Sequence, residues 1–147
     1  MTVASAAPFD VVIIGDAVGL PEGMAATSRL RLYARALASV GANVQIMLTT
    51  VSERPPNILN RETGGLVDGM PYEYTTGTPI RGEGFMERRV AEARGTMAAI
   101  VRLAAMRRNG RRVAILAYMG TSRSSMRYLV LTAGARVLCI PLSLIHI

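Results

Sequence analysis

The sequence predicts an α/β fold of Rossmann-like, three-layer type, a parallel sheet of about five strands between two layers of helices. Three observations predict it. Val11-Val12-Ile13-Ile14 is a short apolar run closed by Gly15, the pattern of a strand buried on both faces of a parallel sheet. A glycine-bearing turn, DAVGLPEG, follows it and opens into a helix that begins on small residues. Strand-like and helix-like patterns then alternate along the chain, as a series of βαβ connections requires.

The first helix is expected over Met24–Val40, with Leu30, Tyr33, Ala34, Leu37 and Val40 at helical spacing and Gly41 as its stop. The second strand, Val44–Leu48, follows after a short αβ connection. Thr49 to Met70, with Pro55-Pro56 and Gly64-Gly65, reads as a loop too long to be idle in a compact domain. Tyr72–Thr76, after Pro71, is more polar and is expected as an edge strand. The second helix spans Phe85 to about Arg108, and its core face is expected along Met86, Val90, Ala93, Met97, Ile100 or Val101, and Ala104. Glu83 and Glu87 near its start and Arg107 and Arg108 near its end suit the helix dipole, and Gly110 stops it. Val113–Tyr118 is apolar throughout, hence a central strand. The turn Met119-Gly120-Thr121 leads to a third helix, about Ser122–Ala133, and a fifth strand, Arg136–Ile140.

Right-handed crossovers give this series the strand order 3-2-1-4-5. The order reverses beside the first strand, so the loops Gly15–Gly23 and Met119–Ser122 face one crevice, where ligands of such folds bind.

Composition narrows the classes. The 147 residues suit one domain, and no apolar run approaches the roughly 18 residues of a membrane span. Residues 1–9 read as a disordered leader without the features of a secretory signal. The single cysteine, Cys139, lies in an apolar run and reads as a buried small hydrophobe, in keeping with a cytoplasmic setting. The net charge of +7 comes from arginine alone, since the chain has no lysine. Those arginines are spread out and aromatics are few, which speaks against a nucleic-acid partner. After Pro141 the chain reads LSLIHI, an ending that resembles a translated adapter. Residues 142–147, including the only histidine, His146, are therefore expected to be a non-native tail, with the domain itself at 10–141.

Several familiar sites are absent from the pattern. A dinucleotide fingerprint needs glycine at positions 15, 17 and 20, but Ala17 and Leu20 stand at the latter two, and Pro21 falls where its helix would run. Without lysine there is no P-loop, and one histidine and one cysteine make no metal set. The distinctive feature is the turn itself. Asp16 stands at the ligand edge of the first strand, with a solvated turn aspartate as the plain alternative. Gly19 and Gly23 permit close backbone approach, and Met24 to Thr27 direct free N–H groups into the crevice. Arg29, in the second helical turn, can add a charge-assisted contact to a phosphate or carboxylate, with a helix start at Gly23 and a surface charge at Arg29 as the plain alternative. Thr121 belongs to the loop across the crevice.

The segments VVIIG, PEGMAATSRLRLYARALASVGANVQIML, GMPYEYTTGTPIRGEGFMERR and VAILAYMGTS together resemble the N-terminal domain of a family 4 retaining glycosyltransferase of GT-B architecture, over nearly all of Asp10–Ile140. That resemblance implies sugar transfer from a nucleotide-sugar donor to a glycan or lipid-linked acceptor, with no metal and no cofactor, the nucleotide sugar being a substrate. It implies that Gly19, Glu22, Gly23, Met24 and Arg29 form the turn lent to the donor, and that Thr76, Gly77, Thr78, Tyr118 and Gly120 line the acceptor side. Most of the donor site, with its paired glutamates, belongs to a second Rossmann-like domain that the chain ends before, so the fragment alone is expected to be inactive. No counterpart of the family's first-domain histidine is present. Two other readings stand beside it: a freestanding Rossmann-like nucleotide-binding or interaction domain, and a peripheral membrane module at the inner face of the membrane. The second helix supports the latter with six arginines against two glutamates, with a solvated polar face as the plainer account of the same charges.

Overall fold

The computed structural model describes residues 9–119 and 125–146. In chain order the elements are β1 (Asp10–Gly15), α1 (Ala25–Ser39), β2 (Asn43–Leu48), β3 (Gly64–Val67), β4 (Met70–Tyr74), α2 (Phe85–Arg108), β5 (Val113–Met119), α3 (Ser125–Val137) and β6 (Leu142–His146). They form one six-stranded sheet of order β3-β4-β2-β1-β5-β6. All neighbours pair parallel except the β3–β4 hairpin. The expected α/β architecture and the reversal of order at β1 are both present, with a hairpin strand added at one edge.

β1 sits at the centre because every residue in it can be buried. Val11 and Ile13 point toward α1, whereas Val12 and Ile14 point toward α2 and α3, the two-residue period of a strand. α1 covers the first face with Leu30 and Ala34. α2 and α3 cover the other with Ala99, Leu103, Met106, Leu131 and Ala135. Full burial of one such leucine stabilises the fold by about 2 kcal/mol. At the amino edge, Asp10 accepts hydrogen bonds from Arg111 (2.7 and 2.5 Å) and from Asn43 (2.6 Å), tying β1 to its neighbours. The Arg111 hydrogen bonds hold the Asp10 carboxyl below its usual range against the opposing effect of burial.

Five expectations are corrected. Tyr72–Thr76 is not the sheet edge: the strand is Met70–Tyr74, and Gly64–Val67 pairs outside it. Asp68 and Gly69, at φ 50° and 78°, make the tight two-residue turn that such a hairpin needs. Second, the core face of α2 is Gly95, Thr96, Ala99, Leu103 and Met106, whereas Met86, Val90, Met97 and Val101 are 70, 53, 54 and 63 % exposed. The reason is distance. A Cβ at Gly95 would stand 2.8 Å from the backbone oxygen of Thr49, so the helix lies too close to the sheet for large side chains there. Third, Arg136–Ile140 is not a strand. α3 runs on to Val137, a turn with Cys139 at φ 51° follows, and residues 142–146 pair with β5. Fourth, Cys139 is exposed, because that turn directs it away from the core. Val40, expected on the buried side of α1, is also exposed, since it follows the last helical turn. The leader residues 1–8 and the expected start of the third helix at Ser122 lie outside the described residues.

Candidate functional site

The carboxyl ends of β1, β2, β4 and β5 share one edge of the sheet, and the order reverses between β1 and β5. The connection from β1 to α1, residues 16–24, starts at that reversal. The Asp16 amide donates to the Tyr118 carbonyl (3.1 Å), fastening the loop to β5. The Asp16 side chain is buried, and its Oδ2 accepts from Arg127 Nη2 at 3.3 Å. Arg127 also stands 3.6 Å from Glu92, which pairs with Arg89 at 3.0 Å. Asp16 is therefore no solvated turn residue. It belongs to a charge chain that joins β1 to α3 and α2.

The rest of the loop is held from beneath by side chains far away in sequence. Ala17, at φ 57°, donates its amide to Thr50 Oγ1 (2.7 Å). The fully buried Leu20 donates its amide to the Tyr74 hydroxyl (2.9 Å), which also meets Ser52 Oγ (2.8 Å). Asn60 pairs with the backbone of Glu22 twice, its Oδ1 accepting from Glu22 N (3.1 Å) and its Nδ2 donating to Glu22 O (2.9 Å). The same Nδ2 donates to Glu53 Oε1 (2.6 Å). Glu53, itself buried, further accepts from Ser52 Oγ (3.0 Å) and Leu59 N (2.7 Å). Burial alone would raise the Glu53 carboxyl, but its hydrogen bonds outweigh that and hold it below the ordinary value. Such a fully satisfied polar cluster fixes one backbone geometry.

The upper side of the loop is free. Glu22, Gly23 and Met24 are exposed. Gly23 is required, since a Cβ there would collide with Thr27 Oγ1, which donates to the Gly19 carbonyl (2.8 Å). Met24 is the N-cap of α1 but makes no side-chain cap hydrogen bond, and no acidic residue occupies the first turn. The Thr27 amide, expected to be free, instead donates to the Met24 carbonyl (3.0 Å) because the helix has already begun there, so only the amides before it are left without a helical acceptor at the positive end of the dipole. Arg29 is exposed one turn further along. Its guanidinium stands close enough to the buried Tyr118 to offset part of the upward push that burial gives that phenol. Tyr33 packs on Tyr118 with ring centroids 6.2 Å apart. Backbone N–H groups and a guanidinium on a rigid support can bind a phosphate or stabilise a developing anion.

The structure brings together Asp16, Gly19, Glu22, Gly23, Met24, Thr27, Arg29 and Tyr118 at this corner. It does not bring Thr76, Gly77 and Thr78 to Tyr118. That turn follows β4, three strands from β5, and lies against Gly95 on the α2 side of the sheet. Its hydroxyls serve the turn itself: Thr76 Oγ1 donates to Thr78 O (2.6 Å), and Thr78 Oγ1 accepts from Ile80 N (3.1 Å). Gly120 and Thr121 lie outside the described residues. Thr50, Ser52, Glu53, Asn60, Tyr74 and Arg127 are the residues that sequence reasoning missed. The one signal for most of them was the length of the 49–70 segment. Among the described residues, no group of three or more His, Cys, Asp or Glu side chains could hold a metal ion, and no helix is long and apolar enough to cross a membrane.

No protein-family model matches the sequence, and no curated protein sequence is similar to it. Among solved structures, the chain is similar to Phytolacca americana UGT2 complexed with UDP-2fluoro-glucose and pterostilbene, with a TM-score of 0.57 and 17 % identity. The match covers 97 % of this chain and 31 % of that one. What the two share is the fold. The chain thus has an α/β, Rossmann-type fold like the matched part of that neighbour, and it spans about a third of that neighbour's length.

Proposed function

We propose that this chain is the acceptor-binding N-terminal half of a glycosyltransferase that takes its sugar from a nucleotide-sugar donor and passes it to a glycan or lipid-linked acceptor. The observation that supports this reading most is the uncapped start of α1, set above a buried polar support at the point where the sheet order reverses. A sugar nucleotide leaves its negative charge on a diphosphate as the glycosidic bond breaks. Oriented N–H groups and a guanidinium fixed beforehand stabilise such charge without reorganising. Arg29 and the amides at the start of α1 supply those groups, while Glu53 and Asn60 keep the loop from shifting. The neighbour's complex with UDP-2fluoro-glucose and pterostilbene, a nucleotide sugar beside a second small molecule, fits a fold that takes a donor and an acceptor together. In this reading a second Rossmann-like domain closes over the crevice and holds most of the donor, and transfer follows the family 4 pattern, with retained configuration and no metal.

The test is a transfer assay on this domain joined to the remainder of its reading frame, with a panel of UDP-, GDP- and ADP-sugars and product detection by mass spectrometry. Sugar transfer is expected, and Arg29→Ala should lower kcat/KM roughly tenfold to a hundredfold, the worth of one hydrogen bond to a charged group. Binding of nucleotide sugars without any transfer would support a nucleotide-binding domain without catalysis instead. Unchanged kinetics in Arg29→Ala would remove that residue from the site.

A further inference from the structure

The charge of this chain is divided at Glu92. Up to that residue there are eight arginines and ten acidic residues; beyond it there are nine arginines and no acid at all. α3 and the second half of α2 fall in the acid-free part. Along α2, Met86, Val90, Arg94, Met97, Val101 and Arg108 follow one another at steps of three, four or seven residues, one stripe of the helix, and all are exposed. α3 packs beside α2, with Gly134 against Ile100. Its own exposed side repeats the pattern with Met126, Leu129 and Arg136. Arg94, Arg108 and Arg136 have no acidic partner among the described residues. Exposed methionine, valine and leucine are thus interleaved with unpaired arginine on two adjacent helices.

We propose that this α2–α3 face docks on an anionic lipid surface. The chemistry of the stripe selects that occupant. Arginine meets lipid phosphates, while the apolar side chains between them enter the boundary between headgroup and acyl chain. A nucleic acid would leave Met97 and Val101 unused, and the stripe offers no aromatic ring for bases to stack on. A second copy packed face to face would set arginine against arginine along the part of the face beyond Glu92, where no acid relieves them. The proposal rests on this face alone and stands apart from the sugar-transfer reading.

Sedimentation of the 147-residue chain with vesicles tests it. Vesicles of phosphatidylcholine are compared with vesicles containing phosphatidylglycerol, at low and high salt. Binding is expected only with the anionic lipid and should fall as salt screens it. Arg94→Glu with Arg108→Glu should weaken partitioning at least tenfold, since each arginine near an anionic leaflet is worth about fivefold. Met97→Gln with Val101→Gln should weaken it severalfold with an unchanged circular dichroism spectrum, because both side chains are exposed. Absence of binding by the folded protein would overturn the proposal. So would equal binding to neutral vesicles, loss with the charge variant but not the apolar one, or a concentration-dependent dimer that excludes vesicles.

Discussion

The two faces of the sheet are made of different chemistry. The α1 face buries three tyrosines, Tyr72, Tyr74 and Tyr118, and the Tyr74 hydroxyl reaches up to hold Leu20. The α2–α3 face has no aromatic among its buried members and is packed by aliphatic side chains, alanine and methionine. On the first face, hydrogen bonds from side chains set the loop that borders the crevice. On the second, position is set by close approach, with Gly95 letting α2 down onto the ends of β2 and β4. One face supports a site; the other builds a wall whose outer side is basic and apolar.

That contrast can be broken by substitution, beginning with the largest effect. Leu103→Ala, on the aliphatic face, should cost about 3 kcal/mol of stability in urea unfolding and leave the 16–24 loop unchanged in amide chemical shifts. Glu53→Gln, on the polar side, should cost about 2 kcal/mol because donors from Leu59, Ser52 and Asn60 lose a charged acceptor. Unlike the leucine change, it should speed hydrogen exchange at Ala17, Leu20 and Glu22. Tyr74→Phe should cost about 1 kcal/mol, with faster exchange at Leu20 as its mark.

Acid sharpens the same comparison. The Glu53 and Asp10 carboxyls both lie below their ordinary values of 4.5 and 3.8 in the folded chain. Groups lowered by folding give stability that is full above the unfolded value and drains away as pH falls toward the folded one. Urea midpoints should therefore hold steady from neutral pH and drop in the acid range below 4.5. Glu53→Gln should flatten part of that drop, whereas Leu103→Ala should shift the whole curve and keep its shape. Arg29→Ala should have the smallest effect, within about 0.5 kcal/mol in stability, since its side chain is exposed.

What the sequence revealed follows from how local each signal is. Val11–Ile14 of β1 and Val113–Tyr118 of β5 are apolar runs because both sides of the central sheet are covered, and Gly41 and Gly110, at φ 89° and 74°, end the helices before β2 and β5. The turn 16–24 was legible from its own glycines and small residues. What holds it was not, because Asn60 lies 38 positions from Glu22, Tyr74 lies 54 from Leu20 and Arg127 lies 111 from Asp16. α2 misled for a different reason. Reading large side chains as the core picked Met86, Val90, Met97 and Val101, but the sheet comes so near that only glycine, threonine and alanine fit along its first buried turns. The hairpin was written plainly in Asp68-Gly69 between two apolar pairs, and only the length of the loop around it obscured the signal.

The most direct measurement is nuclear magnetic resonance titration of the isotope-labelled chain with millimolar UDP-, GDP- and ADP-glucose. The expected result is a set of shifts at Gly19 to Met24, at the first amides of α1 and at Arg29 for at least one of these sugars, with the α2–α3 face silent and the response lost in Arg29→Ala. Shifts confined to other parts of the sheet edge, or none with any nucleotide sugar, would contradict the assignment of this corner to the donor diphosphate.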